Sequence, residues 1–298
     1  MEIIFLGTAV MKPSEKRNQN AILLKRDAEN ILIDCGEGTQ RQFRIARESP
    51  CKLTRLLITH WHGDHVLGIS GLLQTMAQSE YNKTLYIYGP MGTKKYFGEI
   101  MNLFHFAGNI KTVITEIVND GTFYENEDFA LEAFRVKHSC PSLAYAFIEK
   151  EKTRINKEKL KKLKIPSGPL IGELQKGKDI TIDGKKIKAK DITYKQEGKK
   201  IAFMMDTVPC EGCLKVAKNA NLLIAESTFL DDLKEKAQET LHMTAKQTAE
   251  IAKKSNVKKL ILTHISERYE RNLNIVLKEA KKTFKNSELA KDFMRIKI

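Results

Sequence analysis

The chain is predicted to fold as an α/β protein, because short apolar strand-like runs alternate with amphipathic helix-like segments along most of its 298 residues. Two further observations refine that expectation. Imidazole and carboxylate residues recur where apolar runs end, and the stretch 151–197 breaks the alternation while concentrating positive charge. Hydrophobic residues make up 42% of the chain, enough for a substantial core.

The first run, 2–6, carries Ile3, Ile4 and Phe5, types that pack well on a pleated surface. Similar short runs rich in Ile, Leu, Val, Phe or Tyr lie at 21–24, 30–34, 55–59, 84–88, 111–118, 130–137, 143–149, 200–205, 221–225, 259–263 and 293–297. Segments 39–47, 64–78, 91–103, 244–255 and 273–284 show apolar spacing near 3.6 residues and are read as helices. Thr244 is a cap-type residue with Gln247 three positions on, the pattern of a capping box. Helices thin out in the middle of the chain, where antiparallel hairpins are expected. No internal repeat is evident.

Residues 157–164 form a short basic helix candidate with Leu160 and Leu163 as its few apolar contacts. Next comes Ile165-Pro166-Ser167-Gly168-Pro169-Leu170-Ile171-Gly172, read as a Pro/Gly-punctuated turn, and then a small hairpin around Asp183-Gly184. The stretch is too apolar at its centre for a plain linker and too charged for a main core. It is therefore expected to be a protruding arm inserted between two sheet strands of a single domain spanning 1–298. Of the chain's net charge of +14, residues 150–200 carry +10, from 17 basic and 7 acidic side chains. Such a concentration suits a phosphate backbone or an anionic membrane surface, against the plainer reading of a solvated Lys-rich face.

No stretch approaches the roughly 20 apolar residues of a membrane span, and the opening residues lack a basic region and a small-residue cleavage site. A cytoplasmic protein without membrane attachment is expected. The five cysteines are an odd number, which argues against a secreted disulfide framework. Cys210-Glu211-Gly212-Cys213 is a lone CxxC, read as two semi-buried thiols, with a local disulfide as the alternative.

The run His60-Trp61-His62-Gly63-Asp64-His65 places three of the chain's seven histidines in six residues, directly after the apolar 53–59. Imidazoles so crowded repel one another when protonated and cannot all find hydrogen-bond partners. A divalent cation resolves this, since neutral imidazole and carboxylate are zinc ligands. Three more donors stand at the ends of apolar runs: His138, Asp206 and His264. Taken singly, each is more often a hydrogen-bonded residue than a ligand. Together, His60, His62, Asp64, His65, His138, Asp206 and His264 match the count for two zinc ions sharing a water.

These motifs resemble those of the metallo-β-lactamase superfamily and, within it, the short-form tRNase Z (ribonuclease Z) family. The resemblance covers essentially the whole length. It rests on Phe5-Leu6-Gly7-Thr8, the loop Pro13-Ser14-Glu15-Lys16-Arg17-Asn18, Asp34-Cys35-Gly36-Glu37-Gly38-Thr39-Gln40-Arg41-Gln42 and the His-rich run. It continues through Asp206-Thr207, His242-Met243-Thr244-Ala245-Lys246-Gln247 and Thr263-His264-Ile265-Ser266-Glu267-Arg268-Tyr269. It implies a four-layer αβ/βα sandwich of two sheets with helices outside. One zinc ion would take His60, His62 and His138, the other Asp64, His65 and His264, with Asp206 bridging and two ions per subunit. Asp34 would support a ligating imidazole, or else stabilise the turn at Gly36.

The implied activity is removal of the 3′ trailer from precursor tRNA by metal-hydroxide attack, leaving a 3′-hydroxyl on the tRNA and a 5′-phosphate on the trailer. Asp64 would accept or orient the water's proton, His242 would protonate the leaving oxygen, and Glu226 would hold the His242 ring. His105, between Phe104 and Phe106, is read as structural. The basic arm resembles the tRNA-gripping arm of the family, with Lys161, Lys162, Lys164, Gly168 and Pro169 as RNA contacts. Lys16, Arg17 and Asn18 resemble the loop that reads residues beside the cut. A homodimer is implied, one subunit's arm serving the other's site. Two other classes compete: a binuclear-zinc small-molecule phosphodiesterase or thioester or lactone hydrolase, and a metal-free RNA-binding protein. The arm argues against the first and the full ligand set against the second.

Overall fold

The computed structural model describes residues 1–298 apart from 106–109, 164, 166–167 and 183. Strands β1 (Glu2–Gly7), β2 (Ala21–Arg26), β3 (Glu29–Ile33), β4 (Arg55–Leu57), β5 (Thr84–Gly89) and β6 (Lys111–Glu116) come first. They are followed by β7 (Gly121–Glu125), β8 (Phe129–Val136) and β9 (Ser142–Glu149). Four short strands lie in the arm segment: β10 (Lys152–Ile155), β11 (Ile180–Ile182), β12 (Lys185–Ile187) and β13 (Thr193–Gln196). The chain then forms β14 (Lys200–Met204), β15 (Leu222–Glu226), β16 (Leu260–Thr263), β17 (Ser287–Leu289) and β18 (Arg295–Lys297).

Two seven-stranded sheets result, ordered β18-β1-β2-β3-β4-β5-β6 and β17-β16-β15-β14-β9-β8-β7. In each, one half is parallel: β3 to β6 in the first, β14 to β17 in the second. Helices such as Ile69–Gln78, Thr93–Leu103 and Ala245–Lys254 lie along the chain between parallel strands, as crossover connections require. The fold is the layered α/β sandwich anticipated from the sequence.

Strand residues are buried on both faces in the centre of each sheet; Ile201, Ala202, Phe203 and Met204 are all at most 1% exposed. Tyr145 is fully buried, and its hydroxyl donates to Ile58 O at 2.8 Å, joining a strand of one sheet to the run that leads into His60. The Thr244 capping box forms as the sequence indicates, with Thr244 and Gln247 exchanging bonds.

Contacts divide the chain into two compact units, 1–124 with 131–147 and 200–298, and 125–130 with 148–199. The second has a small core of its own. Ile165, Leu174, Ile180, Ala189 and Ile192 are buried together, with Ile155, Leu160, Ile182 and Ile187 against them. β10 pairs with β13 and β11 with β12, so the segment is folded rather than an extended loop. Two expectations are corrected here. The Pro/Gly stretch is not all turn, because Pro169 opens helix Pro169–Gln175, whose first turn needs no proline N–H. Leu163, expected to pack, is 53% exposed, since the helix before it ends at Lys162.

A third correction concerns 64–78, expected to be one helix. Helix Gly63–Val66 ends and a second, Ile69–Gln78, begins after Gly68. The Gly68 N–H is diverted to Cys35 O at 2.9 Å. A Cβ on Gly68 would lie 2.0 Å from Gly36 O, so only glycine permits this close approach. Gly68→Ala is expected to cost about 2 kcal/mol or more of unfolding free energy by forcing these backbones apart. Urea denaturation of the variant and the parent checks this.

Candidate metal centre

Parallel strands deliver the chemistry-bearing residues at their carboxyl ends, where loops can converge. β4 leads on through Ile58 and Thr59 to His60. His62 precedes the short helix that carries Asp64 and His65. Asp206 follows β14, Glu226 ends β15 and His264 follows β16. Register aligns them: Met204 lies opposite Ala225, and Glu226 opposite Thr263. His138 lies just beyond β8, held beside Asp206 by the bridge between Lys137 and Val208.

The seven sequence-predicted donors come together in two groups that share Asp206. His60, His62, His138 and Asp206 form one; Asp64, His65, Asp206 and His264 form the other, with the donor atoms of each group within 4.8 Å of one another. Asp206 Oδ2 lies 3.6 Å from His60 Nε2 and 3.4 Å from His65 Nε2. Asp64 Oδ2 lies 3.4 Å from His65 Nε2 and 3.2 Å from His264 Nε2. His62 Nδ1 and His138 Nε2 are 3.2 Å apart. Ligands on a tetrahedral zinc with bonds of ~2.0–2.1 Å stand about 3.3 Å from each other, so these spacings fit such an ion. The buried atoms His60 Nε2, His65 Nε2 and Asp206 Oδ1 have no hydrogen-bond partner, which is costly unless a cation satisfies them. Burial lowers the pKa of His60, His62 and His138, keeping them in the neutral, ligating form.

Ring nitrogens facing away from the groups are held from behind. His65 Nδ1 donates to Asp34 Oδ2 at 2.7 Å. That carboxylate also accepts from Asn20 Nδ2, Thr59 N and the Thr59 hydroxyl. Asp34 is fully buried and holds φ at 58°, a conformation rare outside glycine that turns the chain away from β3. His264 does likewise at 52°. His138 Nδ1 donates to Leu241 O at 2.9 Å, and His60 Nδ1 lies 3.0 Å from Thr59 Oγ1. Outward bonds of this kind fix tautomer and ring angle in metal sites.

Beside the two groups stands a third, Glu226, His242 and His264. Glu226 is fully buried. It accepts from Thr207 N at 2.7 Å, the Thr228 hydroxyl at 2.7 Å, Met243 N at 3.2 Å and His242 Nδ1 at 3.2 Å. Thr228 Oγ1 stands 3.1 Å from His264 Nδ1 and so links this carboxylate to the neighbouring group. Burial opposes charge on His242, but Glu226 and then Asp206 outweigh it and raise the ring to about 9. A cavity of about 410 Å³ opens over the centre and is lined by Asp64, Asp206, His242 and His264, with Lys12 and Arg268 at its wall. The Arg268 guanidinium sits 4.9 Å from the Phe229 ring centroid.

Thr59, Thr228, Asn20, Lys12 and Arg268 were not anticipated. Asn20 and the threonines act through bonds to residues distant in sequence, which no local pattern signals. Arg268 lay within a quoted motif, but nothing local separated it from its neighbours. The loop residues are placed differently from expectation. Lys16, Arg17 and Asn18 line a separate cavity of about 270 Å³. Arg17 is corrected as an RNA contact: it is 4% exposed, ion-paired to Glu270 at 2.7 Å and bonded to Ile265 O at 2.8 Å. Asn18 is also engaged, through its amide nitrogen to Glu37 O. Lys16 is exposed. Lys161, Lys162, Gly168 and Pro169 are exposed on the second unit, and Lys164 lies outside the described residues.

Comparison with known proteins gives this centre its context. A family model described as "Anti-Pycsar protein Apyc1" matches residues 1–157, and one described as "Beta-lactamase superfamily domain" matches 191–265. The ribonuclease Z of Methanosarcina acetivorans is 39% identical, covering 100% of this chain and 98% of that protein. That of Methanothermobacter thermautotrophicus is also 39% identical, over 100% and 97%. The chain belongs to the ribonuclease Z family. The crystal structure of human tRNase Z, short form, superposes with a TM-score of 0.73 at 28% identity, covering 100% of this chain and 99% of that one. The superfamily and sandwich fold expected from the sequence are thereby shown for this ribonuclease Z family member.

Within the centre, Asp34 is bonded directly to the His65 ring and linked to His60 through Thr59. Asp34→Ala is expected to weaken retention of a divalent metal ion by about ten- to a hundredfold, measured by competition against a chelator.

Proposed function

We propose that this chain is a zinc-dependent endoribonuclease that cuts the 3′ trailer from precursor tRNA, leaving a 3′-hydroxyl on the tRNA. The observation that carries the reading is the pair of donor groups sharing Asp206 under an open cavity, in a chain aligned end to end with ribonucleases Z. His60, His62 and His138 would hold one zinc ion and Asp64, His65 and His264 the other, with Asp206 between them. Bound zinc supplies a water activated near neutral pH and neutralises charge on the scissile phosphate.

The chain's own groups do the rest. Asp64, 4% exposed at its side chain and 3.2 Å from His264, orients the attacking water. Burial opposes its charge, but the His65 and His264 imidazoles beside it hold its carboxyl well below the usual carboxylate range, which makes it a weak proton acceptor. His242, with Nδ1 committed to Glu226, has Nε2 left to protonate the departing oxygen. Its raised pKa keeps that proton available at neutral pH. Arg268 and Lys12 on the cavity wall stabilise flanking phosphates. Lys161 and Lys162 on the folded insertion give affinity for the tRNA backbone that falls with salt. A homodimer is part of the reading, as is a cytoplasmic location. No helix among the described residues is long and apolar enough to cross a membrane.

A small-molecule hydrolase on the same centre is the other reading. The basic insertion separates the two, because such an enzyme has no use for it. Deleting 153–194 is expected to abolish cleavage of a 3′-extended tRNA while sparing hydrolysis of a small activated phosphodiester. Equal loss of both activities counts against the insertion as an RNA-binding element. His242→Ala is expected to lower kcat about a hundredfold or more with zinc content unchanged. An unaltered kcat in single-turnover assays removes it as the proton donor.

A further inference from the structure

Cys210 and Cys213 take no part in the chemistry above, yet they adjoin it. Asp206 follows β14, and four residues on Cys210 caps helix Glu211–Ala217. Both thiols are free, Cys213 buried and Cys210 half-buried, with their Sγ atoms 3.5 Å apart. Thr207, next to Asp206, places its hydroxyl 3.9 Å from each sulfur. The same hydroxyl accepts from Lys137 N at 3.1 Å, beside His138, and the Thr207 N–H donates to Glu226. Gly212 lets the start of the helix approach β8 closely, because a Cβ there would meet Arg135 O at 2.0 Å. The thiol pair therefore touches the neighbours of two side chains in the metal groups.

We propose that Cys210 and Cys213 form a reversible dithiol–disulfide site, taking a small-molecule disulfide as oxidant, and that closing the bond loosens the adjoining centre's hold on its metal. The second half rests on the metal-centre reading; the first does not. Cys210 thiolate attacks one sulfur of the oxidant, giving a mixed disulfide and one released thiolate. Cys213 gives up its proton to that leaving thiolate and attacks the Cys210 sulfur, expelling the second. Two protein thiols are oxidised and one disulfide is reduced to two small thiols. The two cysteines are suited to these parts. The hydrogen bond with Cys213 draws Cys210 down to about 5, while that pairing and burial push Cys213 up.

Bond formation has a mechanical consequence. A disulfide is ~2.05 Å long, so the sulfurs must close by roughly 1.5 Å. Side-chain rotation takes part of that approach, and the rest reaches 206–210, which carries Asp206, through the Thr207 hydroxyl 3.9 Å from each sulfur. Metal sites tolerate only about 0.5 Å of displacement before losing function.

The test uses the full chain loaded with zinc and incubated with glutathione disulfide or buffer alone. Free thiols are counted by alkylation and intact mass, and zinc loss to a chelator is timed. The expected result is protection of two of the five cysteines, reversed by dithiothreitol, with zinc loss about tenfold faster or more in the oxidised form. Cys213→Ser should stop at a glutathione adduct on Cys210, and Cys210→Ser should lose the effect on zinc. Absence of the internal disulfide overturns the proposal, and a disulfide with unchanged zinc loss overturns the coupling. A reduced protein that holds no zinc overturns the metal-centre reading and the coupling with it, while the thiol count still decides the site. Neither readout needs RNA, so failure of the tRNA reading is seen separately.

Discussion

Asp206 sets the terms for the rest of the molecule. Its carboxylate is 3% exposed and lies within 4 Å of ring nitrogens on His60, His65, His138, His242 and His264. Removing so many ionisable groups from water is expensive unless something compensates them. The compensation is partly built in, through the outward bonds to Asp34, Thr59, Thr228, Glu226 and Leu241 O. The remainder, the unpartnered inward nitrogens, is what a cation would supply. Only strand ends fixed by two packed sheets can hold the donors so close, which is why the centre sits where the parallel strands of both sheets terminate.

Backbone strain follows from the same demand. Asp34 and His264 leave their strands with φ near 58° and 52°. Each lies one residue beyond a strand and must turn its side chain toward the centre at once. Asp and His tolerate the left-handed region better than branched residues do, so these residue types serve geometry and chemistry together.

The parts written locally could be read from the residues alone. Strand runs, the capping box at Thr244 and the crowd at 60–65 each announce themselves within a few positions. Asp206 and His264 were legible because they stand where apolar runs stop. The break at Gly68 was not, because its cause is Gly36, far off in the chain. Arg17 looked like a surface cation beside Lys16, but its partner Glu270 lies 253 residues away. Thr228 and Asn20 are invisible for the same reason. Long-range hydrogen bonding decides these roles, and composition does not encode it.

The insertion's private core has a further implication. Five aliphatic side chains are buried there, close to the lower limit for a cooperative unit, whereas the main unit buries two sheets. Local opening follows local stability. The two units should therefore melt separately, the smaller first. If the insertion is the RNA-binding element proposed above, warming this ribonuclease Z family member would erode its selectivity before its hydrolytic power, and the upper temperature limit for choosing RNA would lie below that for splitting phosphodiesters.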